Sequence, residues 1–309
     1  MTDATPTQRP AGIHLVGSDA GVEFELTMDR GELLPGQLAT GTVRLTFQHA
    51  IEFRGIVASL TATEQWQWKR TTQGANGQTT TQTVTERHEL QRLPVMLEGP
   101  GSHGAGDTRD FRLELPIPPL GPATFEATVS RLTWRLEVKL DVPGFDPSIE
   151  TDIVVLQPMG LLKAGVIDVG EFALWPSADT ASDGARASIA LDPVPLCIGG
   201  HFGGRLSIVT GVTKVQEVRL ELRVKVEATV SSGLKEEVTL WTGRVAGQGD
   251  IGGVDTAMPF EGVLAAQWLP TIRLPHGRSD ATFHVILAKA WAPDTHLVRD
   301  IAICSTTEL

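Results

Sequence analysis

Between Glu217 and Val230 the apolar residues Val218, Leu220, Leu222, Val224, Val226, Ala228 and Val230 alternate with Arg219, Glu221, Arg223, Lys225, Glu227 and Thr229. Only a period of two places all of those apolar groups on one side of the chain. At 100° per residue they would be scattered around a helix, whereas in a strand they face a core and the charges face water. Arg131 to Asp141 repeats the pattern with Leu132, Trp134, Leu136, Val138 and Leu140, and shorter versions occur at Val43, Leu45, Phe47 and at Phe111, Leu113, Leu115. One-sided alternation implies antiparallel sheets with a single buried face, because parallel sheets read as unbroken apolar runs.

Turn signals cut these strands at short intervals, as in β-sandwiches. Asn76-Gly77 separates Trp66–Gln73 from Gln78–Glu86 and supplies the positive φ angles of a tight hairpin. That hairpin is rich in Thr and Gln, and is expected to project from the body. Pro116, Pro118, Pro119 and Pro122 remove N–H donors and mark an extended loop after Leu115. Nowhere do apolar residues keep helical spacing for more than about a turn.

The order of these features occurs twice. Gly36–Leu45 (GQLATGTVRL) parallels Gly199–Ile208 (GGHFGGRLSI), and Ile56, Ala58 and Leu60 parallel Val218, Leu220 and Leu222. Asp110–Leu113 before Leu115-Pro116 parallels Pro259–Val263 before Leu269-Pro270. Ala123-Thr124-Phe125 leads towards Trp134, as Ala281-Thr282-Phe283 leads towards Trp291. A chain of 309 residues exceeds what one hydrophobic core usually serves. The expectation is an all-β protein of two tandem immunoglobulin-like antiparallel β-sandwiches. A flexible tail would span residues 1–12, one sandwich residues 13–157 and the other residues 158–309.

With 41% hydrophobic and 20% charged residues the composition is that of a folded, soluble chain. The formal charge is −11, shared as 13 Lys+Arg against 20 Asp+Glu in residues 1–157 and 13 against 17 in residues 158–309. Nucleic acid and anionic membrane recognition rest on dense Lys/Arg clusters, which neither half has. No stretch approaches the roughly 20 apolar residues of a membrane span, and Met1–Gly12 has no apolar run of the signal-peptide kind. Cys197 and Cys304 are too few for a disulfide framework and read as buried free thiols, which leaves a cytoplasmic location as the expectation.

On these residues the chain resembles the arrestin family, specifically its arrestin-domain branches outside the visual and β-arrestin line. Leu34-Pro35-Gly36 with Thr40-Gly41-Thr42-Val43 resembles the family's "PG…GxV" lead-in to its third strand, and Arg54-Gly55-Ile56 with Leu60 and Glu64 resembles the strand that follows. Phe111, Leu113, Leu115-Pro116, Pro118 and Pro122–Glu126 resemble "FxFxLP…LPxSFxG". Trp134–Asp141 with Pro143 resembles "YxVxAxLDRP". The resemblance covers most of residues 20–157 and reaches the second half only through its length and the repeat. It implies an arrestin-type architecture and a non-enzymatic scaffold or adaptor that binds protein partners through loops, sheet edges and the inter-domain crevice. No PPxY sequence is present, Gly21–Met28 lacks the paired lysines of phosphate-sensing arrestins, and Leu90–Gly106 has no counterpart of their short helix. These departures align the chain with simpler branches, such as bacterial sporulation-control arrestin-like proteins and the arrestin-like cargo-sorting subunit of retromer.

Signs of chemistry are sparse. Gly99, Gly101, Gly104 and Gly247, Gly249, Gly252 match GxGxxG, but both runs precede alternating strands rather than the helix such a motif requires. The eight histidines show no HxxxH or HxH spacing, no GxSxG elbow occurs, and no catalytic residue, metal ligand or cofactor is assigned. Glu23, Glu25, Glu221 and Glu227 read as the solvated faces of strands. The resemblance places the Asn76-Gly77 hairpin where arrestins carry a partner-inserting loop, so Lys69, Arg70, Asn76 and Gly77 are the candidate partner-binding residues. Two other readings stand beside the scaffold: a structural or surface protein that self-associates by strand addition, a homodimer included, and a small-molecule binder or enzyme with a site between the sandwiches.

Overall fold

The computed structural model describes residues 12–73, 76–163, 179–180, 186–209, 215–247 and 257–307. The protein is almost all β, with 70% of residues in strands and 2% in helix. Residues 1–11, where nearly all of the expected tail falls, lie outside the described residues. The first strands in chain order are β1 (Ile13–Asp19), β2 (Val22–Met28), β3 (Glu32–Leu33), β4 (Leu38–Phe47), β5 (Ile51–Phe53), β6 (Gly55–Gln73) and β7 (Thr79–Glu98). They are followed by β8 (Gly101–His103), β9 (Thr108–Pro116), β10 (Phe125–Glu126), β11 (Ser130–Asp141) and β12 (Ser148–Val155). One sheet runs β1-β2-β4-β9; another runs β3-β12-β11-β6-β7, with β10 added to β11.

After a one-turn helix, α1 (Met159–Lys163), come β13 (Asp179–Thr180), β14 (Arg186–Asp192), β15 (Leu196–Cys197), β16 (His201–Val209), β17 (Val215–Ala228) and β18 (Lys235–Gly247). The last strands are β19 (Ala257–Val263), β20 (Ile272–Arg273), β21 (Gly277–Lys289), β22 (Thr295–Ile301) and β23 (Ile303–Cys304). They form the order β13-β14-β16-β19 and the order β18-β17-β21-β20, with β22 also on β21. The strand orders therefore repeat. Short parallel pairs also recur, β3 with β12 at the end of its sheet and β15 with β23 as a two-stranded sheet of its own.

The alternation that marked these strands in the sequence is what builds the core. Val218, Leu220, Leu222, Val224 and Val226 on β17, and Leu132, Trp134, Leu136, Val138 and Leu140 on β11, are all fully buried. At about 1.5–3 kcal/mol per large apolar side chain removed from water, each of these two strands contributes substantially to the core it lines. Sheets with one buried face each are consistent with β-sandwich packing.

Local devices recur at matching places. A Cβ on Gly41 would collide with the Thr27 carbonyl oxygen, and one on Gly204 would collide with that of Ala190. At the same place in β4 and in β16, therefore, a glycine lets a neighbouring backbone approach. The Thr124 amide donates to the Val155 carbonyl while the Val155 amide donates to Thr124 Oγ1 (2.7 and 2.9 Å). Thr271 and Ile303 make the same exchange (2.9 and 2.9 Å).

That second device corrects the register read from the sequence. Ala123-Thr124-Phe125 corresponds to Pro270-Thr271-Ile272, not to Ala281-Thr282-Phe283. The partner of Trp134 is Ile153 and that of Ala281 is Ile301, so Ala281 occupies the place of Trp134. Trp291 is fully exposed in a turn at positive φ. The aromatic mass of the second core comes instead from Trp241 against Phe202, Phe260 and Phe283.

Candidate functional site

The chain divides into two compact units, one of residues 1–65, 87–124 and 132–156, the other of residues 66–86, 125–131 and 157–309. The long hairpin β6–β7 is thus shared: its distal half belongs to the second unit. The reason is a set of main-chain bonds at its root. The Lys69 amide donates to Ser232 O (2.9 Å), the Leu234 amide to Gln67 O (3.0 Å) and the Gln67 amide to Val129 O (2.9 Å). Trp68 and Gly233 form an antiparallel bridge. The Thr128 amide is held by Glu236 Oε1 at 2.8 Å, and the Glu126 amide donates to Trp268 O at 2.8 Å. The Trp66 indole, 5% exposed, lies flat on the His276 imidazole with centroids 4.0 Å apart and planes 11° from parallel.

The root is consequently fixed, and only what lies beyond it is open. Arg70–Gln73 and Asn76–Thr83 are exposed; residues 74–75 lie outside the described residues. Gly77 takes φ of 75°, with no atom within 4 Å of where a Cβ would stand, as a tight turn in water requires. Lys69 and Arg70 are exposed at the start of the open part, and Asn76 and Gly77 lie at its tip. The strand residues Thr71–Gln73, each rising about 3.3 Å, lie between the two pairs, so they form two ends of one surface rather than one cluster. The supports Ser232, Gly233, Glu236 and His276 come from far along the sequence, and no local pattern in β6 announces them.

Other sequence features resolve differently. Gly101 opens β8 and the Gly104 amide donates to Asp107 Oδ2 (2.8 Å); no helix follows Gly99, Gly101 and Gly104, so the surroundings of a dinucleotide site are missing there. Gly249 and Gly252 lie outside the described residues. Glu221, expected on a solvated face, is 8% exposed and lies between Arg219 Nε (2.7 Å) and Arg223 Nε (2.8 Å). Burial opposes its ionised form, yet the hydrogen bonds and charge of Arg223, then of Arg219, hold the carboxyl below its ordinary value. Glu227 is likewise covered, by Lys235 at 3.2 Å and Arg278 at 3.3 Å.

A shallow cavity of about 870 Å³ opens over β16 and β19, lined by Asp192, His201, Arg205 and Glu261 around Gly203 and Gly204. Its charges are mixed and its mouth is wide. Among the described residues no three His, Cys, Asp or Glu side chains converge as metal ligands, and no helix is long and apolar enough to cross a membrane.

Compared with protein-family models and with curated proteins, the chain matches none.

Proposed function

We propose that the protein is a non-enzymatic arrestin-like scaffold of two tandem immunoglobulin-like β-sandwiches, joined near Gln157–Lys163, that grips protein partners in a cytoplasm. The observation that carries this reading is the hairpin: a polar, exposed tip on a root anchored by main-chain bonds at Gln67 and Lys69. A binding loop needs that combination, since a fixed root limits the entropy lost on docking while an open tip leaves donors and acceptors free. The repeated strand order and the Thr124 and Thr271 exchanges support the duplication. Affinity purification from the native host, comparing the wild-type chain with one lacking residues 73–78, tests the role: partners should be lost with the tip while the melting temperature holds. Retention of every partner refutes it.

A second reading, self-association by strand addition, draws support from β7, a 20-residue strand at the end of its sheet. Its edge carries Glu86, Arg87, His88, Glu89 and Arg92, with Pro94 beyond them, the charges and proline that discourage edge pairing. Sedimentation velocity across a concentration series separates the readings, the scaffold giving one concentration-independent species.

A further inference from the structure

We infer that Cys197 and Cys304, free thiols in this structure, are an oxidisable pair that closes into a disulfide under oxidising conditions and staples the second unit to itself. The two residues are register partners in the parallel pair β15–β23. Adjacent strands run about 4.8 Å apart, within the Cα separation of about 4.4–6.8 Å that a disulfide spans. Their sulfur atoms stand 2.8 Å apart, inside the contact distance of unbonded sulfurs. A disulfide bond of about 2.05 Å asks them to close by less than about 1 Å. Both are buried, at 8% and 0% exposure, under Met159, Leu162 and Ala302, so the thiols face each other and apolar carbon. Cys304 Sγ also lies 3.2 Å from the Leu196 carbonyl oxygen.

Oxidation removes two protons and two electrons from the thiols and forms one Sγ–Sγ bond. A small-molecule disulfide of the oxidised-glutathione class takes them up as its own bond breaks into two thiols. The reaction passes through a thiolate, and in the folded protein the neighbouring Cys197 and burial both push the Cys304 thiol far up. The bond therefore forms while the chain folds or when β23 lifts away, and once formed it is shielded from external thiols. The cysteines are 107 residues apart, so the staple encloses β16 to β22. That long loop is the case in which a crosslink restricts the unfolded chain most.

The test is refolding of the full chain from denaturant in a glutathione buffer held oxidising, with a parallel sample held reducing. Alkylation under denaturing conditions and intact mass follow. The oxidised sample should be two hydrogens lighter, unalkylated, and yield one crosslinked peptide pair containing Cys197 and Cys304. Its melting temperature should exceed that of the reduced sample by on the order of 5 to 10 °C, a difference that vanishes in Cys197→Ser. Two alkylated cysteines after oxidative refolding, or two glutathione adducts in place of the internal bond, would overturn the inference. Because the mass measurement uses the wild-type chain, the result does not depend on whether a variant folds.

Discussion

Thr124 and Thr271 each carry one hydroxyl on which a buried strand amide depends. Val155 and Ile303 are 0% exposed, so removing the hydroxyl leaves a main-chain N–H with neither water nor partner. Thr→Val keeps the shape and deletes only the acceptor. Each substitution should lower the urea-unfolding free energy by about 1–3 kcal/mol, and a loss below about 0.5 kcal/mol at both sites would mean the exchange carries nothing. His284 on β21 gives a pH signature. Burial, then the guanidinium of Arg223, disfavours its protonated form, so its pKa lies below the ordinary 6.5. In the unfolded chain the ring binds a proton more readily. Its contribution to stability is therefore complete above about pH 6.5 and drains away as pH falls towards the folded value. The carboxyls of Glu221 and Glu227, held low by their arginine and lysine partners, lose their contribution only in more acid solution, below about pH 4.5. The urea midpoint should thus fall between about pH 7.5 and 5.5 in the wild type and fall less in His284→Gln; equal declines would remove His284 from the account.

Among the elements, β6 does two jobs along its length. From Gly55 to Ala62 it lines a core, and from Trp66 to Lys69 it is bonded to the turn that ends β17. Trp66→Ala removes the ring stacked on His276 and should cost about 3 kcal/mol. It should also speed hydrogen exchange of the Lys69 and Leu234 amides; unchanged exchange would show that the stack does not hold the root. Asn76→Ala, in open solvent, should move stability by no more than about 0.5 kcal/mol. This division also shows what the sequence could disclose. The strands around Val218–Val226 and Leu132–Leu140 were readable because one-sided burial imposes a period of two on the residues themselves. The exposed Asn76-Gly77 turn was readable because positive φ selects its residues. The root of the hairpin was not, since its partners lie far along the chain. Nor was the facing of Cys197 and Cys304, which exists only once β15 and β23 pair. The register of the second copy misled because Ala-Thr-Phe occurs at both 123–125 and 281–283, while the position equivalent to Thr124 reads Pro270-Thr271-Ile272. There the hydroxyl is kept by a hydrogen bond and the flanking residues are free to change.

At the scale of the molecule, the division into units does not follow the order of the chain. Residues 66–86 and 125–131 belong with residues 157–309, and they bring it Trp66 against His276, the bonds of Gln67 and Lys69, and the Thr128 amide on Glu236. A fragment of residues 157–309 keeps β13 to β23 and its own apolar core, so it should still fold. It would nonetheless expose His276 and leave the Leu234 amide and Ser232 carbonyl to water. Summed over one lost aromatic stack and several main-chain bonds at about 1 kcal/mol each, the deficit is several kcal/mol, a large part of what holds an ordinary domain together. The isolated fragment should therefore melt well below the corresponding transition of the full chain. Supplying residues 1–156 in trans should restore part of the loss, and Trp66→Ala in that added piece should abolish the restoration. If the fragment alone melts where the full chain does, the contributions of residues 66–86 and 125–131 are contacts without energetic weight, and the anchored root would lose its claim to rigidify the exposed tip.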